Sequence, residues 1–178
     1  MCIRDSVGTR DADGSLDLAP KHMVTPMGWQ NYFGFVCSPR HGTCANIERT
    51  GVFTVTYPRP SQVLYTSLAA SPRDAHGDKL ILDYFKTFPA KEVDGEFIDD
   101  GYLFFECRHF KTVDGFGDNC LITGEIVAAW GDGDFLRRAE ADDQETIHEA
   151  PLLAYLHPGR FATIDRSNGF PFPEAMKK

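Results

Sequence analysis

Short runs in which apolar and polar residues alternate recur along this chain and predict strands. They are Val7–Arg10, Leu16–Pro20, Tyr32–Cys37, Val52–Tyr57, Tyr102–Phe110, Leu121–Trp130 and Arg160–Ile164. Turn chemistry bounds most of them, at Asp13-Gly14, Pro58-Arg59-Pro60, Asp114-Gly115 and Gly131-Asp132-Gly133. Helical runs are few and short: Thr43–Thr50, Ser61–Ala70 with Ser61 as N-cap, and part of Leu136–His148. Between Ser71 and Asp100 the chain is long and irregular, with one helical turn predicted at Lys79–Phe85; such loops in compact domains are often functional. Six or seven strands with few helices predict a mainly β fold, a closed or partly closed barrel.

The 178 residues fit one domain, and no repeat or low-complexity linker divides them. We take 7–178 as that domain. Residues 1–6 (MCIRDS) show no periodicity and run straight into a strand that looks cut short, so they read as a foreign or truncated start. Fourteen Phe are many for this length, and most are expected to be buried. A formal net charge of −8 argues against nucleic acid or an anionic membrane as partner, while leaving room for a local basic pocket. No apolar run approaches the ~20 residues of a membrane span. The N-terminus lacks the hydrophobic segment of a secretory signal.

Five Cys (2, 37, 44, 107 and 120) form no Cys-x-x-Cys pair, so a reducing cytoplasm is the simpler setting. Cys37, Cys107 and Cys120 fall in strand-like runs and are expected to be small buried hydrophobes. The six His show no i, i+4 pair, and no metal site is expected. Neither Gly-x-Ser-x-Gly nor the Gly-x-Gly-x-x-Gly dinucleotide fingerprint is present.

The most informative stretch runs from Arg10 to Thr54. A predicted strand, Tyr32–Cys37, empties through Ser38, Pro39, Arg40, His41 and Gly42 into a helix that opens near Thr43 and closes at Gly51. The unpaired N–H groups of a helix's first turn attract anions, and Arg40, His41 and the Thr43 hydroxyl stand beside that turn. The plainer alternative is two solvated loop residues and a simple N-cap.

At these residues the chain resembles the flavin reductase-like, FMN-binding split β-barrels. The pieces are Thr9, Asp13-Gly14, Ala19-Pro20, Tyr32–Cys37, His41, Thr43, Asn46-Ile47 and Thr50-Gly51-Val52-Phe53. Ser71, Asp78-Lys79, Phe105-Glu106-Cys107, Ile122–Val127 and Pro151–Phe161 follow in the family's order.

The resemblance implies a split β-barrel of Greek-key type that binds FMN without a covalent bond. It implies an oxidoreductase, a flavin reductase, in which NADH or NADPH acts as transient co-substrate and hydride passes to flavin N5. It also implies a homodimer with the flavin at its interface and, in some relatives, a partner oxygenase. Arg40, His41 and Thr43 become the phosphate contacts, with Asn46 behind them. Pro20, Lys21, His22 and Met23 run under the flavin ring, and Ser38, Ser71 and His157 complete the cofactor set, with a structural role for His157, capping the Leu152–Leu156 run, as the alternative to a cofactor contact. No catalytic residue is assigned, because the cofactor carries the chemistry.

Three departures from the pattern matter. Lys21 and His22 replace an aromatic or Asn and a Ser or Thr; Lys21 either reaches the flavin's pyrimidine edge or points outward. No histidine stands at Asp118-Asn119-Cys120, where relatives carry one beside the nicotinamide, and His109 is the nearest. Phe161 replaces a tyrosine. These keep two rivals open: an FMN electron-transfer protein that does not oxidise NAD(P)H, and a flavin-free ligand-binding barrel.

Overall fold

A computed structural model describes residues 2–3, 5–133, 143–156 and 159–169. The strands are β1 (Cys2–Ile3), β2 (Asp5–Arg10), β3 (Leu16–Lys21), β4 (Val24–Pro26), β5 (Tyr32–Cys37), β6 (Val52–Tyr57), β7 (Thr87–Pro89), β8 (Glu96–Ile98), β9 (Leu103–Phe116), β10 (Asn119–Gly131), β11 (Leu152–Leu156) and β12 (Arg160–Ile164). Among the described residues three helices, α1 (Gly42–Thr50), α2 (Val63–Leu68) and α3 (Asp143–Glu149), accompany them, with 3-10 turns at Pro60–Gln62 and Leu80–Tyr84.

Seven strands form one antiparallel sheet in the order β3-β2-β6-β9-β10-β5-β4. The sheet curls until its two ends face each other: Lys21 on β3 reaches Cys37 on β5 with Nζ–Sγ at 3.5 Å. Among the described residues no ladder closes that gap, which makes the barrel split. Smaller sheets, β1-β11-β12 and β7-β8, flank it.

Phe33 and Phe35 from β5, Phe53 and Val55 from β6, Val7 from β2 and Ile122 from β10 fill the interior. Phe35 meets Phe53 edge to face with centroids 5.6 Å apart. A side chain of this kind contributes about 1.5–3 kcal/mol when fully buried. Gly124 is required here, since a Cβ would stand 2.5 Å from the Phe53 ring. Nine residues are too few for a helix to be stable alone. Helix α1 is held by Cys44 and Ile47, both buried in this core, and ended by Gly51, whose left-handed φ of 72° lets its N–H reach the Ile47 carbonyl.

Several sequence expectations change. The strand expected from Val7 is β2 and starts at Asp5, burying Asp5 and Ser6 in the ladder against Lys21 and Pro20. Ser61 is no N-cap; it lies in the 3-10 turn that leads into α2. The hairpin β9–β10 runs past Asp114-Gly115 and turns at Gly117-Asp118. The Phe expectation holds only in part: Phe33, Phe35, Phe53, Phe97 and Phe104 are buried, but Phe110, Phe116 and Phe161 are exposed. Cys37, Cys44, Cys107 and Cys120 are buried thiols, and burial pushes Cys44 up to about 12. The helix expected within Leu136–His148 is described from Asp143, and residues 136–142 lie outside the described residues.

Candidate functional site

A cavity of about 370 Å³ opens beside the split, between β3, the start of α1 and the segment 69–79 that follows α2. Its lining brings together Pro20, Lys21, Arg40, His41, Thr43 and Ser71. These six are distant in sequence but adjacent here, because β5 delivers the chain to α1 directly opposite the end of β3.

Local geometry corrects the sequence reading of the loop. His41, not Thr43, occupies the N-cap position, with extended backbone and no side-chain cap. Thr43 is the second helical residue and is buried. Its hydroxyl accepts a hydrogen bond from Lys21 Nζ at 3.3 Å. The Cys44 and Ala45 N–H groups donate to the His41 carbonyl, which leaves those of Gly42 and Thr43 as the orphan donors of the helix start, and the first turn carries no acidic residue to occupy them. Lys21 does not point outward: the residue is only 7% exposed, and its ammonium also lies 5.7 Å from the Phe35 ring centroid.

The other cations have fixed assignments. Lys79 donates to Asp17 Oδ1 and to the Leu18 carbonyl, each at 2.9 Å. Arg73 pairs with Asp11 and, at 3.8 Å, with Asp17. These contacts latch segment 71–79 onto β3, and the Asp74 carboxylate steadies the segment's turn by accepting the N–H groups of His76 and Asp78. Arg40 is solvent-facing and lies 3.6 Å from Asp118. His41 is held below its ordinary value, first by partial desolvation, then by the charges of Lys21 and Arg40, all of which favour its neutral form.

Four predicted residues lie off the cavity wall. Asn46 is buried and donates to Thr9 Oγ1 (3.1 Å) and Asp11 Oδ1 (2.7 Å), so it orients the carboxylate that holds Arg73. The Ser38 hydroxyl accepts the Arg40 N–H and its carbonyl the His41 N–H, which shapes the loop. His22 packs on Tyr155 with rings 5.1 Å apart, and Met23 is exposed. His157 lies outside the described residues. Sequence reasoning missed Arg73, Asp11 and Asp17; Lys79 was noticed only as part of a motif.

A model described as the flavin reductase like domain matches residues 6–164. The chain belongs to the flavin reductase-like family. Solved structures agree on the fold. The 2-nitrobenzoate 2-nitroreductase of Pseudomonas fluorescens superposes with a TM-score of 0.81 at 18% identity, over 99% of this chain and 87% of that one. Nitrilotriacetate monooxygenase component B from Bacillus cereus gives 0.79 at 14% identity, over 97% and 88%. An FMN-binding protein from Thermus thermophilus gives 0.77 at 18% identity, over 96% and 90%. No relative matches among curated proteins. Membership of the flavin reductase-like family supports a flavin-linked oxidoreductase role, and the cavity described above is its candidate site. Among the described residues no helix of this flavin reductase-like chain is long and apolar enough to cross a membrane.

Proposed function

We propose that this chain binds FMN non-covalently in the cavity beside the split and passes reducing equivalents from NADH or NADPH to flavin or a small acceptor. One observation carries the reading. The lining of the cavity combines the start of α1 and the buried Lys21 with the small apolar residues Ala19, Pro20, Ala69, Ala70 and Pro72. Cationic and N–H donors suit a phosphomonoester, and apolar lining suits a planar ring. Lys21, Thr43 and the first N–H groups of α1 would hold the phosphate, with Arg40 and His41 at its rim. The Pro20–Lys21 stretch and Ser71 would flank the rest of the cofactor. When bound, FMN supplies the hydride-accepting chemistry; the chain orients it and excludes water.

The protein is expected to purify yellow, and the colour to bleach under argon on addition of NADH or NADPH. A colourless protein that takes up no added FMN would sink the proposal. A yellow protein bleached by dithionite but by neither nicotinamide supports a second reading, electron transfer without NAD(P)H oxidation. That reading draws on His109, whose ring contacts Thr112 Oγ1 at 2.9 Å and which is not among the residues lining the cavity. An oxygenase partner belongs to the same proposal, since one similar structure is by name a monooxygenase component. Four buried thiols suit a reducing cytoplasm.

Dimerisation is part of the proposal. Trp29 is 89% exposed, and Met23, Met27 and Phe161 are also open to solvent, apolar side chains that a second copy of the chain would cover. Light scattering is expected to give twice the 19.9 kDa chain mass. A monomer that still holds FMN tightly would contradict a shared pocket.

A further inference from the structure

We propose that Lys21 alone sets the charge preference of this cavity, making it select a terminal phosphomonoester dianion, and that the basic loop residues Arg40 and His41 contribute little. The inference rests on the FMN reading and assigns the discrimination to one side chain.

Five basic side chains line the cavity: Lys21, Arg40, His41, Arg73 and Lys79. Four of them have little charge left for a ligand. Lys79 is committed to Asp17, and Arg73 to Asp11 and Asp17. Arg40 has a side chain 77% exposed, in water and salt that screen it, and it leans toward Asp118. His41 is shifted toward its neutral form by desolvation and by its cationic neighbours Lys21 and Arg40.

Lys21 differs in each respect. Its ammonium is buried, and its hydrogen bonds go to a hydroxyl and a thiol sulfur, Thr43 Oγ1 and Cys37 Sγ. Among the described residues no carboxylate stands within ion-pair distance of it. Asp5 is its partner in the β2–β3 ladder, yet both Asp5 oxygens lack any hydrogen-bond partner, Lys21 included. The coupling of Lys21 to the buried Asp5 is through space, with no ion pair formed. A buried cation of this kind acts through a low local dielectric and is little screened, so an arriving dianion gains more from it than from an exposed guanidinium. Thr43 links the two halves of the trap. It carries one of the first N–H groups of α1, and its hydroxyl holds the ammonium beside that turn. A ring lacking the phosphate gains nothing from either.

The test compares FMN with riboflavin on the purified chain cleared of bound flavin, using flavin fluorescence to obtain Kd. Lys21→Met is expected to weaken FMN roughly thirtyfold or more, the effect of one charge-assisted hydrogen bond, and to leave riboflavin within about threefold. Arg40→Gln should leave both flavins within about threefold. The proposal is overturned if Arg40→Gln costs FMN as much as Lys21→Met does, or if Lys21→Met weakens both flavins equally. Should Lys21→Met lose its circular-dichroism signal, Lys21→Gln serves for the same comparison. If the unsubstituted chain binds neither flavin, the FMN reading fails and inorganic phosphate decides the present one. Phosphate should then raise Tm above chloride at equal ionic strength, and Lys21→Met should abolish the difference. No phosphate-specific rise would overturn the role of Lys21 as well.

Discussion

Replacing Asp5 by valine is expected to stabilise the fold by roughly 2–4 kcal/mol at pH 7, an unusual sign for a core substitution. Asp5 is fully buried in β2, and neither carboxyl oxygen has a hydrogen-bond partner; the neighbouring Ser6 hydroxyl is likewise unpartnered. Burial raises the Asp5 carboxyl well above the ordinary range, and the Lys21 charge only partly opposes it. The pH dependence follows from that direction. A carboxyl that binds its proton more tightly when folded imposes no ionisation penalty below its unfolded value, about 3.9, and an increasing one as pH rises toward the folded value, on top of the constant cost of an unbonded polar group. The advantage of Asp5→Val should therefore be smallest near pH 4 and grow toward neutrality. Valine also suits a strand packed on both sides. Urea unfolding of both forms across that range tests the expectation. A less stable variant would mean that the carboxylate is ionised and serves as Lys21's counter-ion, which would also weaken the case for an unpaired ammonium in the anion site.

Asp5 also shows what could be read from the sequence. The main sheet was legible because β3, β5 and β6 alternate or carry β-branched and aromatic residues between strong turn signals. The edge strands β4, β7 and β8 have three residues each, too few for a period to register. Leu152–Leu156 is nearly all apolar and gives no alternation to detect. Asp114-Gly115 has turn chemistry, yet the ladder absorbs it, with Gly115 at a φ of 103°.

The site divides in the same way. Arg40 to Thr43 could be read because a helix start is local. The latch of Arg73 on Asp11 and Lys79 on Asp17 could not, because each pair spans 62 residues. The direction of Lys21 could not be read either. A period of two tells which face a strand residue takes, not which element curls round to meet it. Asp5 and Ser6 carried no pattern at all, and burial without partners is the physical counterpart of that silence: local sequence and environment disagree there.

Glu106 is the opposite kind of buried carboxylate, and Glu106→Ala is expected to cost about 3 kcal/mol. The Phe105-Glu106-Cys107 motif was visible in the sequence, but its role depends on a loop that reaches it from elsewhere. On β9 the fully buried Glu106 accepts the backbone N–H groups of Lys91, Glu92 and Val93 at 2.6–3.1 Å and the Trp130 indole N–H at 3.0 Å. It thereby fastens the loop before β8 to the barrel, while Lys91 lies 4.0 Å over the Trp130 ring. Burial alone would raise this carboxyl, but the bonds from Lys91, Trp130, Glu92 and Val93 outweigh it, and the net shift is downward. The sign is therefore reversed from Asp5. The stability that Glu106 contributes is complete above its unfolded value, about 4.3, and is lost as pH falls through the lowered folded value. Hydrogen bonds to a charged group contribute about 1.5–3 kcal/mol each, and truncation strands four donors at once. Residues 91 and 92 are exposed enough for water to recover part of that loss, which keeps the expected total near 3. Glu106→Gln keeps the shape but removes the charge. It should cost less than the alanine variant and flatten the acid side of the stability profile. Urea unfolding gives the free energies, and hydrogen exchange at residues 91–93 reports whether the loop has come loose. A Glu106→Ala protein within about 1 kcal/mol of the parent, with those amides still protected, would show that the loop is held by something other than this carboxylate.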